Sequence, residues 1–247
     1  MIGETGAGGA MVTGNPSFSR TDEVARDVLT KILSGELKPG ESVSALRLSR
    51  TYEIAAATAR EVVGLLRLQR LVKIERNHAP KVITPNSGWF LVVVAELAGL
   101  SGVATELGVL KATDAQIEEL AELANHASAS WTDSYKEQGA AIVAVWGLFE
   151  RLASVAGNSD LQRAHSEKWP AVALGFTYLR IRRNPKTLQI TLKELSAAIS
   201  ARDRFEAVSL VHDLYDYVLR VRIDNFPLPP ISAPTRLTYE TDQRKPS

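Results

Sequence analysis

Apolar side chains recur at Val24, Val28, Leu29 and Ile32, one face of a 3.6-residue period, and predict a first helix. Gly35 suits the left-handed position that ends it, and Pro39-Gly40 forms the following turn. Ser44 can cap a second helix with Leu48 and Tyr52 facing inward. A third helix, over about residues 57–69, turns Val62, Val63, Leu65 and Leu66 toward the first. Leu71-Val72-Lys73-Ile74 and Lys81-Val82-Ile83 then read as paired strands, with a wing between them whose tip falls at Ala79-Pro80. Three helices and a hairpin in this order predict an N-terminal winged helix-turn-helix with a two-stranded wing over residues 18–85.

Beyond Pro85-Asn86-Ser87-Gly88, which reads as a linker, the pattern is helical throughout. Residues 89–109 are apolar on most faces, as in a buried helix. Thr113 and Gln116 form a capping box ahead of Ile117, Leu120 and Leu123. A helix over about 133–155 stops at Ala156-Gly157-Asn158. Another is expected over about 161–183, bent at Pro170. Asn184-Pro185 caps the next, and Asp203 with Glu206 opens a last one reaching about Ile223. Six helices without a strand pattern predict a C-terminal antiparallel all-helical bundle over 86–225, so the fold class is mainly α. Residues 1–17 are Gly-rich and aperiodic, expected to be a disordered leader; the Pro-rich tail over 226–247 is expected to wrap or fray. The glycines near the start do not make a P-loop, because no strand precedes them and no Lys-Ser/Thr follows.

Net charge over the 247 residues is +1, but its distribution is uneven. Residues 18–85 hold twelve Lys/Arg against eight Asp/Glu, whereas residues 86–224 hold fourteen against seventeen. A basic front and an acidic back suit a DNA-binding module joined to something else. There is no cysteine, which excludes disulfides and thiol catalysis and fits a cytoplasmic protein. No apolar run reaches the roughly 18 residues of a membrane span, and there is no secretory signal pattern. No nucleophile–base pair or metal cluster marks an enzyme.

Several stretches resemble the GntR family of bacterial transcriptional regulators, more narrowly its FadR-type branch with an all-helical C-terminal domain termed FCD. They are Ile32-Leu33-Ser34-Gly35-Glu36-Leu37-Lys38-Pro39-Gly40-Glu41, then Ala59-Arg60-Glu61-Val62-Val63 and Leu68-Gln69-Arg70-Leu71-Val72. In the back half they are Leu152-Ala153-Ser154-Val155-Ala156-Gly157-Asn158 and Ala197-Ala198-Ile199-Ser200-Ala201-Arg202-Asp203. The resemblance covers about residues 21–224 and implies a homodimer on a near-palindromic double-stranded DNA operator, repression, and control by a small-molecule effector. Two departures matter. Such a family member carries Ser-Arg-Thr-Pro-Val-Arg-Glu at its recognition helix, where this chain has Ala55-Ala56-Ala57-Thr58-Ala59-Arg60-Glu61. Arg60 is kept; Ala56 replaces the other Arg and can offer only a methyl contact, which implies a different operator. The usual wing glycine is also missing. Furthermore, the positions where FCD domains place one Asp and three His as metal ligands fall on Val145, Phe149, Leu192 and Leu214. Hydrocarbon cannot ligate a cation, so no metal or other cofactor is expected.

Arg60 is the foremost base-reading candidate, against an ion pair with Glu53 or Glu61. Thr58 suits a base or phosphate contact or a helix cap. Arg47 and Arg50 suit phosphates or plain solubility, and His78 and Lys81 a wing on DNA. In the bundle, Val145, Phe149, Leu192 and Leu214 either line an apolar effector cavity or fill the core, with Tyr178 and Arg180 as polar anchors for an acid. Arg180-Ile181-Arg182-Arg183 reads equally as a solvated helix end. The expected function is a dimeric regulator, by default a repressor, answering to a small organic acid or acyl-type effector. The alternative is a sensor-less, architectural DNA-binding dimer whose bundle only dimerises.

Overall fold

A computed structural model describes residues 19–134, 137–181, 183–221 and 223–225; the expected leader and tail lie outside them. The chain opens with α1 (Arg20–Leu33), α2 (Ala45–Tyr52) and α3 (Ala56–Leu68), followed by β1 (Val72–Lys73) and β2 (Lys81–Val82). Ser19 closes a capping box with Asp22 at the start of α1. Val24, Val28 and Ile32 of α1 are buried against Ala59, Val62 and Leu66 of α3. The Thr21 hydroxyl donates to Glu61 at 3.0 Å, fastening the same pair of helices. The antiparallel strands pair Val72 with Val82 and Lys73 with Lys81, and Ser42 adds a bridge to Lys81. The wing turn lies at Arg76-Asn77-His78, not at Ala79-Pro80. Asn77 takes a left-handed φ of 63°, supplying the conformation for which a glycine was missed.

The bundle comprises α4 (Ser87–Lys111), α5 (Asp114–Ala129), α6 (Gln138–Val155), α7 (Ser159–Ser166), α8 (Trp169–Tyr178), α9 (Pro185–Ser200) and α10 (Arg204–Arg220). It packs α5 on α9 and α6, and α4 on α6 and α10. Two short strands, β3 (Leu179–Ile181) and β4 (Ile223–Asn225), pair antiparallel, so the bundle is not purely helical as expected. The single bent helix expected over 161–183 is instead α7, a break, α8 and β3. Pro170 sits in the first turn of α8, where its missing N–H costs nothing. β3 buries Leu179 and Ile181 and exposes Arg180, a period of two that three residues cannot advertise in sequence. Helix α6 begins at Gln138 rather than near 133.

By length and composition α4 is apolar enough to cross a membrane. Its Phe90, Val93, Val94 and Leu97 are instead buried in the bundle, the usual fate of a helix apolar all round. Gly175 of α8 lets Phe90 lie against the helix backbone: a Cβ there would stand 2.3 Å from the Phe90 ring. Gly175→Ala gains at most about 1 kcal/mol of helix propensity. It forces a buried ring to shift, at about 1–3 kcal/mol. The expected net is a loss of stability, seen as a fall of several degrees in the thermal unfolding midpoint; an unchanged or higher midpoint would refute the close packing.

Candidate nucleic-acid interface and the cavity behind it

Helix α3 is the exposed element of the helix-turn-helix. Ala59, Val62, Val63 and Leu66 face the core, leaving Ala56, Ala57 and Arg60 to solvent and Thr58 half-buried. Ser44 caps α2 through the Arg47 N–H at 3.2 Å, but Ala55 cannot cap α3. The first-turn N–H groups of α3 therefore have no side-chain partner and face outward with a partial positive charge. Arg60, one turn in, makes no ion pair or side-chain hydrogen bond among the described residues, so neither Glu53 nor Glu61 holds it. Its five donors remain for an acceptor from outside the chain.

The other basic candidates divide. Arg50 is exposed and, among the described residues, unengaged. Arg47 is part of the scaffold: its guanidinium donates to the Ser42 carbonyl and the Glu41 carboxylate, each at 2.9 Å. That carboxyl lies below its ordinary range, held first by the Lys38 backbone N–H and then by Arg47. On the wing, Lys81 and His78 are exposed, and His78 Nδ1 lies 2.9 Å from the Arg76 carbonyl oxygen. Lys73 pairs with Glu75 at 2.6 Å. Arg67, which the sequence reading passed over, stands exposed two turns beyond Arg60 and is unengaged among the described residues.

Behind this surface, Glu96 of α4 receives two cations. Arg70, just after α3, donates to one of its oxygens, and Lys168, ahead of α8, lies 2.9 Å from the other. Burial alone would raise the Glu96 carboxyl; Arg70 and Lys168 outweigh it and hold the group below its ordinary range. Arg70 adopts a left-handed φ of 63°, and its carbonyl accepts the Trp89 indole N–H at 3.0 Å. The winged helix is thus tied through one carboxylate to both α4 and α8.

The same two helices wall a cavity of about 100 Å³ in the bundle, together with α6, α10 and the 179–188 segment. Phe90, Val94, Val145, Trp146, Phe149, Phe176 and Leu214 line it. Of the six proposed effector residues it brings together Val145, Phe149 and Leu214. Leu192 is buried in α9 away from it, Tyr178 closes α8 outside it, and Arg180 is exposed on β3. Packing around Tyr178 raises its hydroxyl pKa. Instead of Arg180, the cavity takes Arg183, whose guanidinium carbon stands 4.9 Å from the centroid of the Trp131 ring. Arg183 Nη1 donates to Gln138 Oε1 at 2.6 Å. The Trp131 indole N–H is buried and has no acceptor among the described residues. An unmet buried donor costs about 1–3 kcal/mol. The Tyr215 hydroxyl, 2.8 Å from Ser101, is driven up in pKa by burial.

The metal implied by the resemblance does not fit this chain. The four positions in question are hydrocarbon, and among the described residues no three His, Asp or Glu cluster. His165 is buried against Glu150 at 2.9 Å, His212 lies beside Gly102, and His78 and His126 are exposed elsewhere.

No protein-family model and no curated protein sequence matches the chain. Solved structures do share its fold. McbR/YncC of E. coli is 18% identical over 81% of this chain and 94% of its own, with a TM-score of 0.52. A protein of Rhodococcus sp. RHA1, described as a GntR transcriptional regulator, is 20% identical over 82% of this chain and 98% of its own, with a TM-score of 0.51. The likeness runs through both the winged helix and the bundle and is one of fold.

Proposed function

We propose that the chain is a homodimeric DNA-binding transcriptional regulator, a repressor whose hold on a near-palindromic operator changes when a small acid or acyl-type effector enters the bundle. The observation that carries this reading is the exposed, unengaged Arg60 near the uncapped start of α3, in a winged helix-turn-helix. Residues 18–85 read DNA and residues 86–225 sense and dimerise. Helix α3 enters the major groove with Arg60 on a base edge, while the first-turn amides, Thr58 and Arg50 meet phosphates and Lys81 and His78 bring the wing to the flank. Two copies place their readers on half-sites one helical turn, about 10 base pairs, apart or a multiple of it.

The effector acts only if it favours one arrangement of the readers over another. Helices α4 and α8 supply a route, because both line the cavity and both meet at Glu96, where Arg70 anchors the winged helix. The test is selection of bound fragments from a random DNA pool, with binding of the winner followed across salt. A palindromic motif with a steep salt slope is the expected outcome. Weak, salt-sensitive binding without an enriched motif would put the architectural, sensor-less dimer in its place.

A further inference from the structure

Polar side chains reach the wall of the bundle cavity, but their partners lie within the chain. The Tyr215 hydroxyl is bonded to Ser101 at 2.8 Å, and the Tyr217 hydroxyl accepts the Asn184 backbone N–H. Arg183 donates to Gln138, stands over the Trp131 ring and has a further partner besides. The Trp131 N–H is itself buried beyond reach of the cavity. What the wall presents is almost entirely hydrocarbon and aromatic ring. Phe90 meets Phe176 edge to face with centroids 5.4 Å apart, and Phe149 lies 5.8 Å from Tyr215. A water molecule needs about two to four polar partners, so this wall holds water poorly. An engineered apolar cavity of about 150 Å³ stays dry and takes up benzene or xenon. The cavity here, at about 100 Å³, is of that order. The geometry points to an uncharged aromatic compound the size of a single ring, seated among Val145, Phe149, Phe176 and Leu214. Its ring extends the edge and face contacts already made by the wall. A carboxylate there would lose its water and find no free donor, and a hydroxyl would lose a hydrogen bond. Seated so, the ring touches Phe90 and Val94 of α4 and Phe176 of α8, the two helices that the Glu96 carboxylate ties to the winged helix. This assignment rests on reading the bundle as the sensor and takes the charge off its effector.

The test is calorimetric titration of the full-length protein with toluene, phenol and benzoate, backed by thermal unfolding and by tryptophan fluorescence, since Trp131 and Trp146 both line the cavity. Toluene is expected to bind one per chain and to raise the unfolding midpoint. Phenol replaces the methyl group by a hydroxyl of similar size and is expected to bind at least about tenfold more weakly, because its O–H meets no acceptor. Benzoate is expected to bind at least about a hundredfold more weakly, because its charge would be buried unpaired. Val145→Phe fills the cavity from α6 and should abolish the toluene response. Val145→Leu adds one methylene and should weaken toluene by about three- to tenfold, so it still reports if Val145→Phe fails to fold. The assignment is overturned if toluene does not bind, if phenol or benzoate matches it, or if the folded variants keep full toluene affinity. Anisotropy on the selected DNA, with and without toluene, runs in parallel. Toluene that binds as described yet leaves DNA affinity unchanged sustains the ligand assignment and overturns the sensor reading. Sequence-specific DNA binding by a protein that takes up no toluene overturns the assignment and leaves the DNA-binding reading standing.

Discussion

Arg60→Ala is expected to abolish most sequence discrimination while leaving the fold untouched. A bidentate Arg–guanine contact is worth about 1–3 kcal/mol of discrimination. A symmetric dimer makes it twice, so specific affinity should fall about thirtyfold or more. Binding to a scrambled duplex should fall far less, because that term comes from phosphate neutralisation spread over many cations. Arg60 is exposed and unengaged, so its loss removes no internal contact, and stability should change by no more than about 0.5 kcal/mol. Fluorescence anisotropy on the selected operator and its scrambled control, at two salt concentrations, separates the two effects. Equal losses on both duplexes would make Arg60 a phosphate contact. No loss on either would leave Arg67 and the first-turn amides of α3 to carry the reading.

The winged helix was legible because its signals are local. Ser44 caps α2, Gly35 and Gly40 take positive φ in the following turns, and the apolar stripe of α1 is buried as its spacing implies. The bundle was legible as helix but not in its interruptions. Leu179-Arg180-Ile181 is too short to distinguish a strand from the end of a helix, and its partner β4 lies more than forty residues along the chain. Pro170 permits either a kink or a restart, and packing chose the restart. That choice governs the cavity. In a continuous helix, Arg180 and Arg183 would share a face. In the strand that forms, Arg180 turns to solvent, and Arg183, past the strand end, reaches Trp131. Trp131 itself carries no motif; it stands out only because its N–H is buried without an acceptor, which is a tertiary fact. The wing shows the reverse case: a missing glycine pointed to a lost turn, yet Asn77 adopts the same backbone region three residues before Pro80.

Val103→Glu is expected to break the dimer and, with it, operator binding. Val92, Val103 and Leu110 of α4 remain 46–54% exposed, and Gly99 between them is exposed too, whereas Phe90, Val93, Val94 and Leu97 are buried. At about 100° per residue, Val92, Gly99, Val103 and Leu110 fall within about 40° around the helix. They form a narrow apolar seam of the width that a second helix covers. Gly99 has nothing within 4 Å of where a Cβ would sit, leaving room for a close approach at the seam's middle. A glutamate at Val103 sets a charge there, and in a two-fold interface it meets the same charge on the partner. The folded chain should tolerate it, because the site faces solvent in the single copy. Light scattering should therefore move from dimer to monomer with the unfolding midpoint nearly kept. A lone reader forfeits the intramolecular second contact, worth about 10²–10⁴ in affinity for a two-half-site operator. Single half-site binding should stay at its wild-type level. A variant that remains dimeric would locate the interface elsewhere. One that turns monomeric yet keeps operator affinity would show that each reader acts alone, contrary to the proposed symmetry.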